Sequence, residues 1–176
     1  MSVELGIQNL SGFRGYHRRD VLTRLAEKVC AGEGLAQDAE VSLVLCDDAF
    51  IQDLNAQYRK KNKPTDVLSF DQDGIRPDGV RMLGDIIISM ETLARECAND
   101  AAHMRADVRL LFCHGLLHLL GHDHPTRAAR ALMQARQAGY LGVAYDAAWR
   151  DEPPAPTGAA PARSARGRTA PRVGKR

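Results

Sequence analysis

Val3, Leu5 and Ile7 alternate with Glu4 and Gln8, the two-residue period of a half-buried strand, and a Ser11-Gly12 turn closes a first element over Val3–Leu10. From Asp20 the period lengthens. Val21, Leu22, Leu25 and Val29 recur at helical spacing until Gly32 and Gly34 stop the run. Val41–Cys46 is a compact β-branched stretch suited to a second strand, and Asp47 stands where it would cap a helix with Phe50, Ile51, Leu54 and Tyr58 on one stripe. After a basic connector, Val67–Phe70 reads as a strand and Asp71–Gly79, with Gly74, Pro77 and Gly79, as a turn-rich loop. Leu83–Ile88 is a short apolar run for a buried strand, and Ser89 is placed to cap a helix from Met90 to about Asn99. From Arg105 to Leu120 apolar residues surround the helical axis, the mark of a buried helix. Gly121 ends it, Pro125 blocks continuation, and Thr126 opens a last helix to about Ala138.

These elements fit one domain in 176 residues, but the pattern stops at Trp149. Beyond it the chain is Pro, Ala, Gly, Ser, Thr and Arg, too poor in apolar surface to offset ordering entropy, so a domain over 1–150 and a disordered basic tail over 151–176 are expected. The tail holds six basic and two acidic residues, so it carries +4 of a total charge of +2 and leaves residues 1–150 at −2. A chain that coats DNA by charge alone is therefore excluded, and positive charge matters only where it is concentrated. The main concentration in the body is Arg59, Lys60, Lys61 and Lys63, four charges in five residues. No stretch approaches a membrane span and Met1–Leu10 lacks the pattern of an export signal, which points to a cytoplasmic protein with no membrane partner. Cys30, Cys46, Cys97 and Cys113 are far apart with no Cys-x-x-Cys pair, so they read as small buried hydrophobes.

The chemistry concentrates in the histidines. Four of the six, His114, His118, His122 and His124, fall within 11 residues. His114 and His118 are four apart and share one face of the buried helix, and Gly121 turns the chain so that His124 can return toward them. One histidine on an apolar helix would be read as a core residue bonded to a carbonyl. Three would each need a partner, and a shared metal satisfies them together. Three imidazoles with an open fourth position match a catalytic zinc site, although the donors suit Cu, Ni and Fe as well. His122 is left open as a further ligand, a proton carrier or a surface residue; His17 and His103 stand alone. A peptidase of the His-Glu-x-x-His type would need Glu at position 115, which is Gly, so the metal lacks that general base. A phosphate substrate would instead give the basic connector a purpose beside a metal.

The run His114-Gly115-Leu116-Leu117-His118-Leu119-Leu120-Gly121-His122-Asp123-His124 resembles the HGxLHLxGxDH signature of the YbeY family of endoribonucleases, which act in bacterial rRNA maturation and ribosome quality control. Tyr58-Arg59 with Lys63–Phe70 resembles a second signature of that family, and Leu83-Gly84-Asp85-Ile86 a third, in the expected order. The resemblance implies an α+β fold, a small mixed β-sheet flanked by helices, with the metal-binding motif on a buried central helix. It implies one zinc per chain held by His114, His118 and His124, and it assigns the functional arginine to Arg59, for phosphate binding and transition-state charge. The implied activity is single-strand-specific cleavage of rRNA precursors at the 16S 3′ end, at the ribosome or its small subunit, with no DNA substrate. Asp85 and Asp123 also fall on signature positions; Asp123 either orients a histidine or forms the turn. The alternatives are a ribosome assembly factor with a mainly structural zinc, and a zinc hydrolase of a small substrate. Position 122, commonly aromatic in the signature, is His here, and Gln134, Arg136 and Gln137 follow Met133 where the family tends to carry Glu.

Overall fold

Two apolar strands, β2 (Ala39–Cys46) and β4 (Arg81–Ser89), need cover on both faces, and the fold places them at the centre of a four-stranded sheet ordered β1-β2-β4-β3. The computed structural model describes residues 1–149. β1 (Val3–Asn9) runs parallel to β2, β2 parallel to β4, and β3 (Val67–Ile75) antiparallel to β4, so the sheet is mixed. Successive side chains of β2 point to opposite layers. Val41, Leu43 and Leu45 enter the large core beneath α1 (Arg19–Gly32), α3 (Met90–Glu96) and α4 (Ala101–Leu119), whereas Val44 and Cys46 meet Ile51 of α2 (Asp48–Arg59) on the other face. α5 (Arg127–Leu141) and a short 3-10 turn (Tyr145–Ala148) close the described chain. This is the α+β architecture expected from the sequence.

The caps lie where the pattern puts them. Asp47, Ser89 and Thr126 each accept a hydrogen bond from the backbone N–H three residues on, which satisfies a donor that the helix start would otherwise leave bare. α5 runs on to Leu141, past the expected end at about Ala138, and three other boundaries differ. The Asp71–Gly79 loop is strand as far as Ile75: Asp71, Gly74 and Ile75 pair with Gly84, Met82 and Arg81 across a register shift. As an edge strand running toward solvent, β3 has no need of apolar residues there, so its composition hides it. α3 stops at Glu96 because Ala98 and Asn99 adopt left-handed backbone, with φ of 50° and 58°. α4 starts at Ala101 because the Asp100 side chain caps it, four residues before the apolar pattern begins. The expected tail over 151–176 lies outside the described residues.

Two glycines allow the close approach that sets the site on the sheet. A Cβ at Gly84 (φ 133°) would stand against the Phe70 carbonyl, next to the register shifts that β4 makes with β2 and with β3. A Cβ at Gly115 would lie 2.8 Å from Ile86 Cγ2 and 2.9 Å from Ser69 Oγ, so only glycine lets α4 pack this closely on β3 and β4. A glutamate at 115 would thus have no room. All four cysteines are buried, and none forms a disulfide. Burial pushes the Cys30 thiol up to about 11 and those of Cys46 and Cys113 up to about 12, which keeps them protonated and inert.

Candidate metal centre

α4 carries His114 and His118 one turn apart, both half-buried, and then ends in a hydrogen-bonded reversal. Gly121, at φ 94°, donates its N–H to the His118 carbonyl, and His122 donates its N–H to the Leu117 carbonyl. This left-handed glycine cap folds the chain back over the last turn of the helix. His124 returns with it, so that one ring nitrogen from each of His114, His118 and His124 lies within 4.8 Å of the others. Ring centroids stand 4.6 Å (His114 to His118), 5.2 Å (His114 to His124) and 5.1 Å (His118 to His124) apart.

The hydrogen bonds around the rings decide what this group can hold. Gln137, buried on α5, donates its amide to the Ala148 carbonyl at 2.6 Å, which turns its oxygen toward His114 Nδ1 at 2.9 Å. That nitrogen must therefore carry the proton. The same holds for His118, whose Nδ1 lies 2.9 Å from the His122 carbonyl, a group that only accepts. Both Nε2 atoms are left with bare lone pairs, and they face one another at 3.0 Å. Two neutral imidazoles so arranged repel unless a cation lies between them. A shared proton is disfavoured: burial first, then the neighbouring His118, lowers His114 to about 3, and burial followed by His124 lowers His118. A divalent ion bound tetrahedrally at about 2.05 Å would separate two such nitrogens by about 3.3 Å, so the donor set suits one.

Arg59 is the last residue of α2. After burial and the neighbouring rings, its charge adds a smaller push that lowers both His114 and His118, the electrostatic link between the connector and the pair. Among the described residues its exposed guanidinium makes no hydrogen bond or ion pair. The backbone is held firmly: Lys60 ends the helix in left-handed conformation (φ 60°), the buried Asn55 amide donates to the Lys63 carbonyl at 2.8 Å, and the Tyr58 ring packs edge-on against Phe70 at 4.9 Å.

The remaining sequence candidates separate. The His122 ring turns away from the group to Glu33 at 2.7 Å. Asp123 accepts the His124 N–H at 2.7 Å, the turn-forming role, and Asp85 accepts from Gln72 at 2.9 Å. Three further residues stand near the centre: Trp149 and Glu33 gave no sequence signal, and Gln137 stood out only as a departure from the family pattern. Gln137 orients His114, and Trp149 stands edge-on to His114 and His124 at 5.5 and 5.0 Å, with the Arg130 guanidinium 4.8 Å over its ring. The third is Glu33, a carboxylate whose burial opposes ionisation but whose hydrogen bonds from Tyr140, His122 and Arg136 hold it below the usual carboxylate range.

Residues 11–143 match the family described as Endoribonuclease YbeY. The chain belongs to that family. The Endoribonuclease YbeY of Moorella thermoacetica is 44% identical over 128 residues, covering 68% of this chain and 82% of that protein. The Endoribonuclease YbeY of Pelotomaculum thermopropionicum is 40% identical over 126 residues, covering 69% and 83%. The solution structure of the Thermotoga maritima protein TM1509 superposes with a TM-score of 0.50 at 27% identity, covering 77% of this chain and 86% of that one. Among the described residues no helix is long and apolar enough to cross a membrane.

Proposed function

We propose that the chain is a zinc-dependent, single-strand-specific endoribonuclease that acts in late rRNA processing at the 16S 3′ end, in ribosome maturation and in quality control. Membership of the YbeY endoribonuclease family supports RNA as substrate. The observation that carries the metal part is the pair of unprotonated Nε2 atoms 3.0 Å apart, each fixed from behind through its Nδ1. His114, His118 and His124 would hold the ion, one per chain, and three ligands leave a position for substrate or water, unlike the closed four-ligand set of a structural site. Bound there, zinc supplies Lewis acidity, polarising a phosphoryl oxygen and lowering the pKa of a water or hydroxyl.

The protein's own groups do the rest. Arg59 takes the scissile phosphate through its planar fork and offsets the charge that grows on it in the transition state. Lys60, Lys61 and Lys63 attract the flanking phosphates without reading sequence. The Nδ1 contacts hold the imidazoles neutral and oriented, so ligand geometry need not reorganise when RNA arrives. The body over 1–150 carries this whole site, the protein works in the cytoplasm, and its partners are rRNA precursors and the small ribosomal subunit. The test is cleavage of a single-stranded RNA by the purified protein, with and without a zinc chelator, alongside His114→Ala. Cleavage lost in both supports the reading, and cleavage unchanged in both overturns it.

A further inference from the structure

We infer that Glu33, at the end of α1 and far from the ligand motif in sequence, is a positioning residue for the histidine centre. The inference rests on the metal reading above and assigns a role to a residue outside the family signatures. Glu33 occupies an unfavourable place for an acid. It is the C-terminal cap of α1, where the helix dipole is negative, and its side chain is only 8% exposed. Three donors offset that cost. His122 Nε2 lies 2.7 Å from Oε2, Arg136 Nη1 lies 2.8 Å from Oε1 and 2.9 Å from Oε2, and the Tyr140 hydroxyl lies 2.6 Å from Oε1. Gly32 makes room for the last of these, because a Cβ there would stand 2.6 Å from Tyr140 Cε1.

What the three donors belong to gives the carboxylate its meaning. His122 lies in the turn that supports two ligands: its carbonyl holds His118 Nδ1, and His124 follows two residues later. Arg136 precedes Gln137, the residue that holds His114 Nδ1. One buried carboxylate therefore fixes both the turn and α5, the two segments from which the rings of His118 and His114 are oriented. No other acid among the described residues bonds the side chain of His122 or Arg136. The His at position 122, where the family signature commonly has an aromatic residue, is what brings the turn within reach of this anchor.

The experiment is zinc titration of the metal-free protein, with the visible absorption of the cobalt(II) form as reporter of ligand geometry. It compares wild type, Glu33→Gln, Glu33→Ala, His122→Phe and the Glu33→Ala/His122→Phe double variant, with melting of each metal-free protein recorded in parallel. Glu33→Ala is expected to weaken zinc binding about tenfold and to alter the cobalt spectrum, the usual effect of losing an outer contact to a metal site. Glu33→Gln, which keeps the side-chain shape and one acceptor oxygen, is expected to weaken it less. The double variant is expected to bind no more weakly than Glu33→Ala, since both changes break one linkage. Glu33 variants that melt at lower temperature yet bind zinc with wild-type affinity and an unaltered cobalt spectrum would overturn the inference, because Glu33 would then serve stability alone. Wild-type protein that binds no zinc would overturn the metal reading itself, a separate and recognisable result.

Discussion

His114 and His118 reach their positions with both Nδ1 atoms bonded and both rings half-buried, whereas Arg59 reaches its position exposed, with no partner among the described residues. On the proposed function, these two parts of one centre meet different demands. A metal is bound by a few short contacts of fixed direction, so its ligands gain from being oriented in advance. An RNA phosphate arrives on a flexible polymer, and a guanidinium on a long stem can follow it while the helix end beneath stays fixed by Asn55 and Tyr58. The low total charge of +2 is consistent with this division, because positive charge is needed at the helix end and not over the whole surface.

The contrast can be broken from either side. The largest effect is expected on the exposed side. Arg59→Ala should lower kcat for single-stranded RNA by about 10²–10³, as loss of one preorganised transition-state donor does, while zinc affinity by titration stays at the wild-type value. A parallel fall in zinc affinity would show that the two parts are not separate. Next comes the buried side. Gln137→Leu removes the acceptor for His114 Nδ1 and should raise the zinc Kd about 10–100-fold. Equal zinc affinity in this variant would mean that His114 is oriented by packing alone. The smallest effect concerns substrate binding. Lys60→Gln with Lys61→Gln should reduce the slope of log K for RNA against log salt by about 0.7 for each phosphate that the protein no longer neutralises, without changing metal content. An unchanged slope would place the RNA elsewhere.

The sequence made most of this visible where the signal is local. Caps at Asp47, Ser89 and Thr126, the stop at Gly121 and the spacing of His114 and His118 depend on neighbours within a turn or two, so the pattern carries them. It failed where a residue's state is set by a distant partner. Asp71–Ile75 is strand only because β4 pairs with it, and Gln137 orients His114 across 23 residues. Glu33 carries no local signal, and its contacts show only when His122, 89 residues later, is seen against it. Position 122 shows the difference plainly. Its neighbours leave it open as a further ligand, a proton carrier or a surface residue, and only the folded chain shows that its carbonyl meets His118 while its ring turns to Glu33.

The central claim is that three histidines are set in advance for one metal beside an arginine that takes no part in holding it. Zinc stoichiometry and affinity for His118→Ala and Arg59→Ala against wild type test it most directly. The account expects one ion per chain in wild type and in Arg59→Ala at equal affinity, and loss of tight binding in His118→Ala. Tight, stoichiometric zinc in His118→Ala would contradict it.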